Sequence, residues 1–348
     1  MSKRQILSPP ISDGNLIIEN NYFWSSKNIV LKERKTFFIY PTAPFHFDGT
    51  FHKPSYFPNQ LEDWESVKYW QALRLGKKLY GLRIDNKGTT KTPKIKVTIF
   101  YQSKISENDI ANIGQEIIWR FDLMANMQGF HQLAKKDNLF YPVFKKWLGM
   151  RVSSPHNLYE LLVVSLLLQN ATIRRTVQML HILLDKYGIK LKFDQKEVFA
   201  IWLPEKLNHV SERELRNLKI GYRAKYLKCF SHDFFVGNVN EIELLQLDQE
   251  KTKEAFTELY GVGPETARIL LFEVFHHYGV FGHISPWQQK IYSRLFYHKP
   301  LVSANKIKDD IKRRYGKYSM LAVHYIWEDV FWRRKNEKIG WLEKEIRL

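Results

Sequence analysis

The stretch Leu158–Leu168, LYELLVVSLLL, is apolar nearly all the way round at helical spacing, so other elements must surround it. Its longest apolar run, Leu161–Leu168 interrupted only by Ser165, is too short to span a bilayer, which leaves the centre of a helical bundle as its place. Further helical patterns run over Ser211–Phe230 and Pro264–His276, and the stretch Tyr318–Arg334 interleaves Trp327, Phe331 and Trp332 among charges. Ser106 is placed to cap another helix, with apolar positions at Ile110, Ile113, Ile117 and Phe121. Before Ser106 the period is two. Ile95, Val97 and Ile99 alternate with Lys94, Lys96 and Thr98, and turns marked by Asp85–Asn86–Lys87–Gly88 and by Pro41, Pro44, Pro54 and Pro58 punctuate the region from about Tyr22 to Tyr101. The sequence thus predicts an α+β chain. A small N-terminal antiparallel β domain covers residues 1–104, and an all-α domain covers 105–348, helical to its end.

Charge narrows the partners. Fifty-four Lys+Arg against 36 Asp+Glu give a formal net charge of +18, so the surface potential recruits a polyanion, nucleic acid first. Aromatic residues make up 15% of the chain, which argues against a disordered basic tail and supplies surfaces on which unpaired bases stack. The single cysteine, Cys229, excludes an intramolecular disulfide framework, a zinc ribbon and a four-cysteine iron–sulfur cluster. His276, His277 and His283 lack metal-ligand spacing. The start, MSKRQILSPPISDGN, does not read as a secretory signal, so a soluble protein in a reducing compartment is expected.

The segment with the most chemistry is Leu259-Tyr-Gly-Val-Gly-Pro-Glu-Thr-Ala267, leading directly into an apolar helix. Gly261 and Gly263 permit positive φ in a tight hairpin, and Pro264 suits the first position of the helix. The amides of Gly261, Val262, Gly263 and Thr266 then converge on one anion, on this basic chain most simply a DNA phosphate, although the same residues also make an ordinary turn before a buried helix. In order along the chain, Tyr159–Thr172 (YELLVVSLLLQNAT), Leu218–Leu227 (LKIGYRAKYL), this hairpin and His283–Arg294 (HISPWQQKIYSR) resemble the segments of the helix-hairpin-helix superfamily of DNA glycosylases, in particular the 8-oxoguanine and 3-methyladenine enzymes.

The resemblance covers roughly residues 150–335 and implies a helix-hairpin-helix at about 250–276. It also implies a monomer that acts on double-stranded DNA carrying a damaged or modified base. Such a protein sits with the DNA, in the cytoplasm of a prokaryote or the nucleus of a eukaryote. No cofactor is required, although a monovalent cation on hairpin carbonyls fits the family. By resemblance, Gln169 and Asn170 fill the gap left by a flipped base, the alternative being a polar helix cap. Arg174, Arg175, Arg223 and Lys225 hold phosphates or lie on a solvated face. Trp287 stacks on the base or packs in the core.

Two positions depart from the family. Its bifunctional members carry a Schiff-base lysine where this chain has Glu265, and a carboxylate cannot form an imine. Its catalytic aspartate falls at Ser285, whose neutral hydroxyl cannot stabilise positive charge on the sugar. Glu265 is the first candidate to replace that carboxylate and Asp329 the second, with Glu328 on a different face of the same helix. The alternative for each is a salt-bridge partner. The expected function is therefore a monofunctional base-excision glycosylase, with a catalytically silent lesion- or structure-specific DNA binder as the rival reading.

Overall fold

The computed structural model describes residues 27–345. The segment considered for export and the start of the strand-rich stretch at Tyr22 lie outside the described residues. Among the described residues, eight strands form two sheets. The larger is antiparallel, in the order β2 (Glu33–Ile39), β6 (Ile95–Tyr101), β5 (Lys78–Asn86), β4 (Lys68–Leu75) and β3 (Glu62–Glu65). Ile95, Val97 and Ile99 of β6 are fully buried, as the two-residue period requires. They face α1 (Glu107–Arg120), whose Ile113 and Ile117 enter the same core. Ser106 caps that helix, accepting the Asp109 N–H at 3.0 Å while the Asp109 carboxylate accepts the Ser106 N–H at 3.3 Å.

The opposite face of the sheet is covered by a second, three-stranded sheet, in which β1 (Lys27–Val30) runs parallel to β7 (Ile189–Phe193), and β7 forms a hairpin with β8 (Lys196–Ala200). The expectation that the chain stays helical after Ser106 is therefore corrected. Ile189, Leu191 and Phe193 alternate with Lys190 and Lys192, and Asp194 and Gln195 both take positive φ in the tight connection that suits a hairpin. Phe193 packs on Phe100 of β6, with ring centroids 5.2 Å apart.

The helices that build the site are α2 (Leu158–Leu168), α3 (Ile173–Tyr187), α4 (Arg223–Phe235), α5 (Gln249–Glu258), α6 (Pro264–Glu273), α7 (Pro286–Tyr297) and α8 (Ser319–Glu337). Helix α2 is buried from Leu158 to Leu167 and lies at the centre of one core with residues of α3, α4 and α6. The single helix expected over Ser211–Phe230 is broken. One helix ends at Asn217 and α4 begins at Arg223, with Lys219 and Gly221 at positive φ between them. Helix α6 stops at Glu273, short of His276, which itself takes φ of 55°. Among the described residues no helix is long and apolar enough to cross a membrane.

Candidate functional site

The turn between α5 and α6 closes when the Val262 N–H donates to the Leu259 carbonyl at 3.0 Å. That bond occupies the Val262 amide in closing the turn, and the Val262 side chain is buried in the core. Gly261 has φ of 90°, and a Cβ on it would lie 2.6 Å from the Tyr226 ring. Gly263 differs from expectation. Its φ is −88°, and nothing lies within 4 Å of where its Cβ would be. As cap of α6 it has no side chain to close the first turn, and Pro264 has no N–H. The N–H groups of Glu265 and Thr266 therefore have no acceptor within the helix and open on its positive end.

These groups line a shallow concavity of about 820 Å³, together with Gln169, Tyr226, Tyr260, Glu265 and His283. Gln169 ends α2, and its side-chain amide donates to the Gly261 carbonyl at 2.9 Å, which fixes the end of that helix to the hairpin. Asn170 is different: it is exposed, with φ of 48°, and its amide lies 3.4 Å from the Tyr222 hydroxyl. Of the two wedge candidates, Asn170 faces outward and Gln169 braces it. Tyr222, within GYRAKY, is a further surface residue of this site. Its hydroxyl donates to the Gln169 carbonyl at 3.2 Å, and its ring packs edge-on to Tyr226, which in turn packs edge-on to Tyr260.

The four basic candidates separate by burial. Arg223 is buried and donates to the Leu166 carbonyl at 3.1 Å and to the Gln169 carbonyl, so it caps the C-terminus of α2. Lys225 is exposed, with its ammonium 4.8 Å from the centre of the Tyr260 ring. Arg174 and Arg175 lie in the first turn of α3, where the helix dipole disfavours cations unless an anion joins them. Arg175 donates to the Lys219 carbonyl, and Arg174 is exposed.

The acidic candidates separate as well. Glu265 stands half-exposed in the concavity, paired with Arg268 at 2.6 Å, and Arg268 also reaches the Met320 sulfur. Asp329 is buried, and its Oδ1 accepts from Lys146 at 2.7 Å and from the Trp147 indole at 3.1 Å. It ties α8 to the short helix Tyr141–Lys146 as a packing ion pair. Glu328 is buried on another face, accepting the Ser55 N–H at 2.9 Å and hydroxyl at 2.7 Å. Ser285 caps α7: its hydroxyl and N–H both donate to the Gln288 side chain at 2.9 Å. Trp287 is 38% exposed and leans on Trp327 with centroids 5.1 Å apart, so it both packs and presents a free face. Among the described residues no group of three or more His, Cys, Asp or Glu side chains could hold a metal ion.

No protein-family model matches the chain. A DNA-3-methyladenine glycosylase of Bacillus subtilis is 20% identical over 152 residues, which cover 43% of this chain and 50% of that protein, so the match spans about half the length of this curated relative. The 3-methyladenine DNA glycosylase of Archaeoglobus fulgidus superposes with a TM-score of 0.69 at 14% identity, covering 85% of this chain and 99% of that one. The 8-oxoguanine glycosylase/lyase of Clostridium acetobutylicum in its apo form gives 0.63 at 21% identity, over 85% and 97%. The same enzyme in complex with double-stranded DNA containing cytosine opposite 8-oxoguanine gives 0.63 at 20% identity, over 88% and 99%. Superposition over most of both chains gives this chain the fold of the helix-hairpin-helix DNA glycosylases.

Proposed function

We propose that the chain is a base-excision repair protein, a monomer that binds double-stranded DNA and hydrolyses the N-glycosidic bond of a damaged or modified base. The observation that carries the reading is one concave surface, where the first-turn amides of α6 and the half-exposed, Arg268-paired carboxylate of Glu265 come together beside Gln169, whose neighbour Asn170 faces outward. The amides and Arg174 hold phosphates, Asn170 fills the vacated stack and Trp287 offers a face to the flipped base. As the C1′–N bond breaks, its electron pair leaves with the base and positive charge develops on the sugar. Glu265, held in direction by Arg268, stabilises that charge and orients the water whose oxygen bonds to C1′, while the water's proton passes to the carboxylate. With no lysine at position 265, the product is an abasic site. The relatives' names, as 3-methyladenine and 8-oxoguanine glycosylases, support this class of reaction.

The Leu259 and Gly261 carbonyls each accept one hydrogen bond and keep a second lone pair, so the hairpin's donor set fits a monovalent cation. Such a cation would add positive charge at the phosphate. The rival reading, a silent lesion binder, is favoured by one observation, that Ser285 serves α7 as a cap.

The two readings separate on a panel of duplexes, each carrying one altered base, with half of every reaction treated with hot alkali. Strand scission only after alkali supports hydrolytic base removal, and Glu265→Gln is then expected to abolish turnover while sparing binding. Tight binding to one duplex without scission, slightly tightened by Glu265→Gln through loss of a negative charge, supports the binder.

A further inference from the structure

A buried polar cluster lies inward of the hairpin, and the steps above make no use of it. Lys53 is 1% exposed, donates to the Ser153 carbonyl at 2.7 Å and, among the described residues, has no ion pair. Glu273, Glu328 and His324 all feel its charge; the His324 Nδ1 lies 3.7 Å from Glu328 Oε1, and its Nε2 is buried without a partner. Burial pushes both carboxyls up from their ordinary range while Lys53 pulls them down, and burial with Lys53 pushes the His324 ring well down. Lys53 and Glu328 have their hydrogen bonds with Ser153 and Ser55, and the unmet His324 Nε2 is the buried polar atom that is costly to the fold unless something meets it.

Their place indicates what that partner is. Glu273 ends the helix that Glu265 begins, eight residues or about 12 Å further in. His324 and Glu328 lie one turn apart on α8, with Trp327 beside them, and Trp327 meets Trp287. Exposure falls from 38% at Trp287 to 9% at Trp327, 2% at Glu328 and 1% at Lys53. Flat apolar walls in front of a few convergent polar groups are what a planar heterocycle requires. The side that must yield is residues 52–61, which hold no helix or strand and which carry Lys53 and Ser55. The two Ser55 donors on Glu328 are bonds that an entering ring can replace.

We infer that this cluster is the floor of the base pocket, and that it selects a base presenting a ring carbonyl beside an N–H, as hypoxanthine, uracil and 8-oxoguanine do, over a cationic alkylated base. The inference rests on the glycosylase reading above and adds its substrate class. The carbonyl accepts from the Lys53 ammonium and the N–H donates to a glutamate. A positively charged ring meets that ammonium in a low-dielectric interior, where like charges repel most strongly. Guanine and thymine share the edge but stay in their pairs, because a mispaired or damaged base costs less to extrude.

The test measures affinity by fluorescence anisotropy in the Glu265→Gln background, so that binding is read without turnover. The duplexes carry hypoxanthine, uracil, 8-oxoguanine, 7-methylguanine, 1,N6-ethenoadenine or no lesion. The first three are expected to bind at least about tenfold more tightly than 7-methylguanine or ethenoadenine, the size of one charged hydrogen bond. Lys53→Met and Glu328→Gln are expected to erase that preference and leave undamaged DNA unchanged. Tightest binding of 7-methylguanine, or variants that weaken every duplex equally, would overturn the assignment alone. Failure of the Glu265→Gln parent to bind any duplex would overturn the DNA reading beneath it. If Lys53→Met does not fold, the near-isosteric Glu328→Gln decides the matter: loss of the preference supports the inference and its retention refutes it.

Discussion

Arg174 and Arg223 look alike in the sequence, two arginines near the polar end of α2, yet the structure gives them opposite tasks. The Arg223 guanidinium is buried against the last carbonyls of α2, where it satisfies acceptors that the helix itself cannot and complements the negative end of its dipole. Arg223→Met is expected to lower stability by about 3 kcal/mol, because it strands buried acceptors of a charged donor. Any loss of DNA binding should then follow from unfolding, which denaturant titration beside a binding isotherm would show. Arg174→Ala has no such support to remove. It should leave the melting temperature alone and reduce the slope of log affinity against log salt by about 0.9, the share of one phosphate contact. Asp329 teaches the same lesson from the acidic side. Its helix was readable, but its partner Lys146 lies 183 residues away, and no local pattern announces so distant a pair. Residue types and rough places were legible in the sequence; whether a charge is used outwardly or inwardly was set by packing.

At the scale of elements, local rules carried further. The capped start at Ser106, the bounds of α2 and the alternation in β6 all follow from the sequence, because each rests on neighbours within a few residues. The β7–β8 hairpin carries an equally local signal in its alternation, but a window of helices masked it, and it exists to cover the far face of the larger sheet. The hairpin before α6 separates shape from function in its two glycines. Gly261 needs its positive φ and its open side, so Gly261→Ala should cost about 1–3 kcal/mol as the Tyr226 ring is displaced. Gly263 needs neither: Gly263→Ala should change stability by less than about 0.5 kcal/mol. Its new methyl group would nevertheless stand on the side from which a phosphate approaches the first turn of α6. DNA affinity should therefore fall in a variant whose thermal melt is unaltered. Equal effects of the two substitutions on stability would mean that the turn tolerates less than its geometry implies.

Over the whole molecule, the β and α parts are joined by buried polar contacts, and these make its stability depend on pH. Lys53 reaches Ser153, Ser55 reaches Glu328, and Asp122 at the end of α1 receives the Tyr278 hydroxyl beside His276. Burial pushes His46, His52, His276, His277 and His324 below the ordinary imidazole range, and it takes His131 down to about 4, helped by the nearby Arg151 and Lys135 cations. For each of these, between its folded value and about 6.5, the unfolded chain binds a proton that the folded chain refuses, so stability falls as pH falls through that window. Burial raises Asp122, Glu273 and Glu328, which act in the opposite sense, because the folded state then holds a proton that the unfolded chain releases. The ordinary imidazole value lies between pH 7 and pH 5, so the melting temperature is expected to drop across that range. His131 offers the cleanest check. Its ring lies between Phe130 and Phe144, with its Nε2 lacking a partner, so His131→Phe keeps the aromatic packing and removes one titrating group. Melts of this variant and the parent across pH 7 to pH 5 should show a shallower dependence in the variant. A parent melting temperature that instead rises on acidification would place the buried carboxyls around Lys53 in control, and with them the floor of the base pocket.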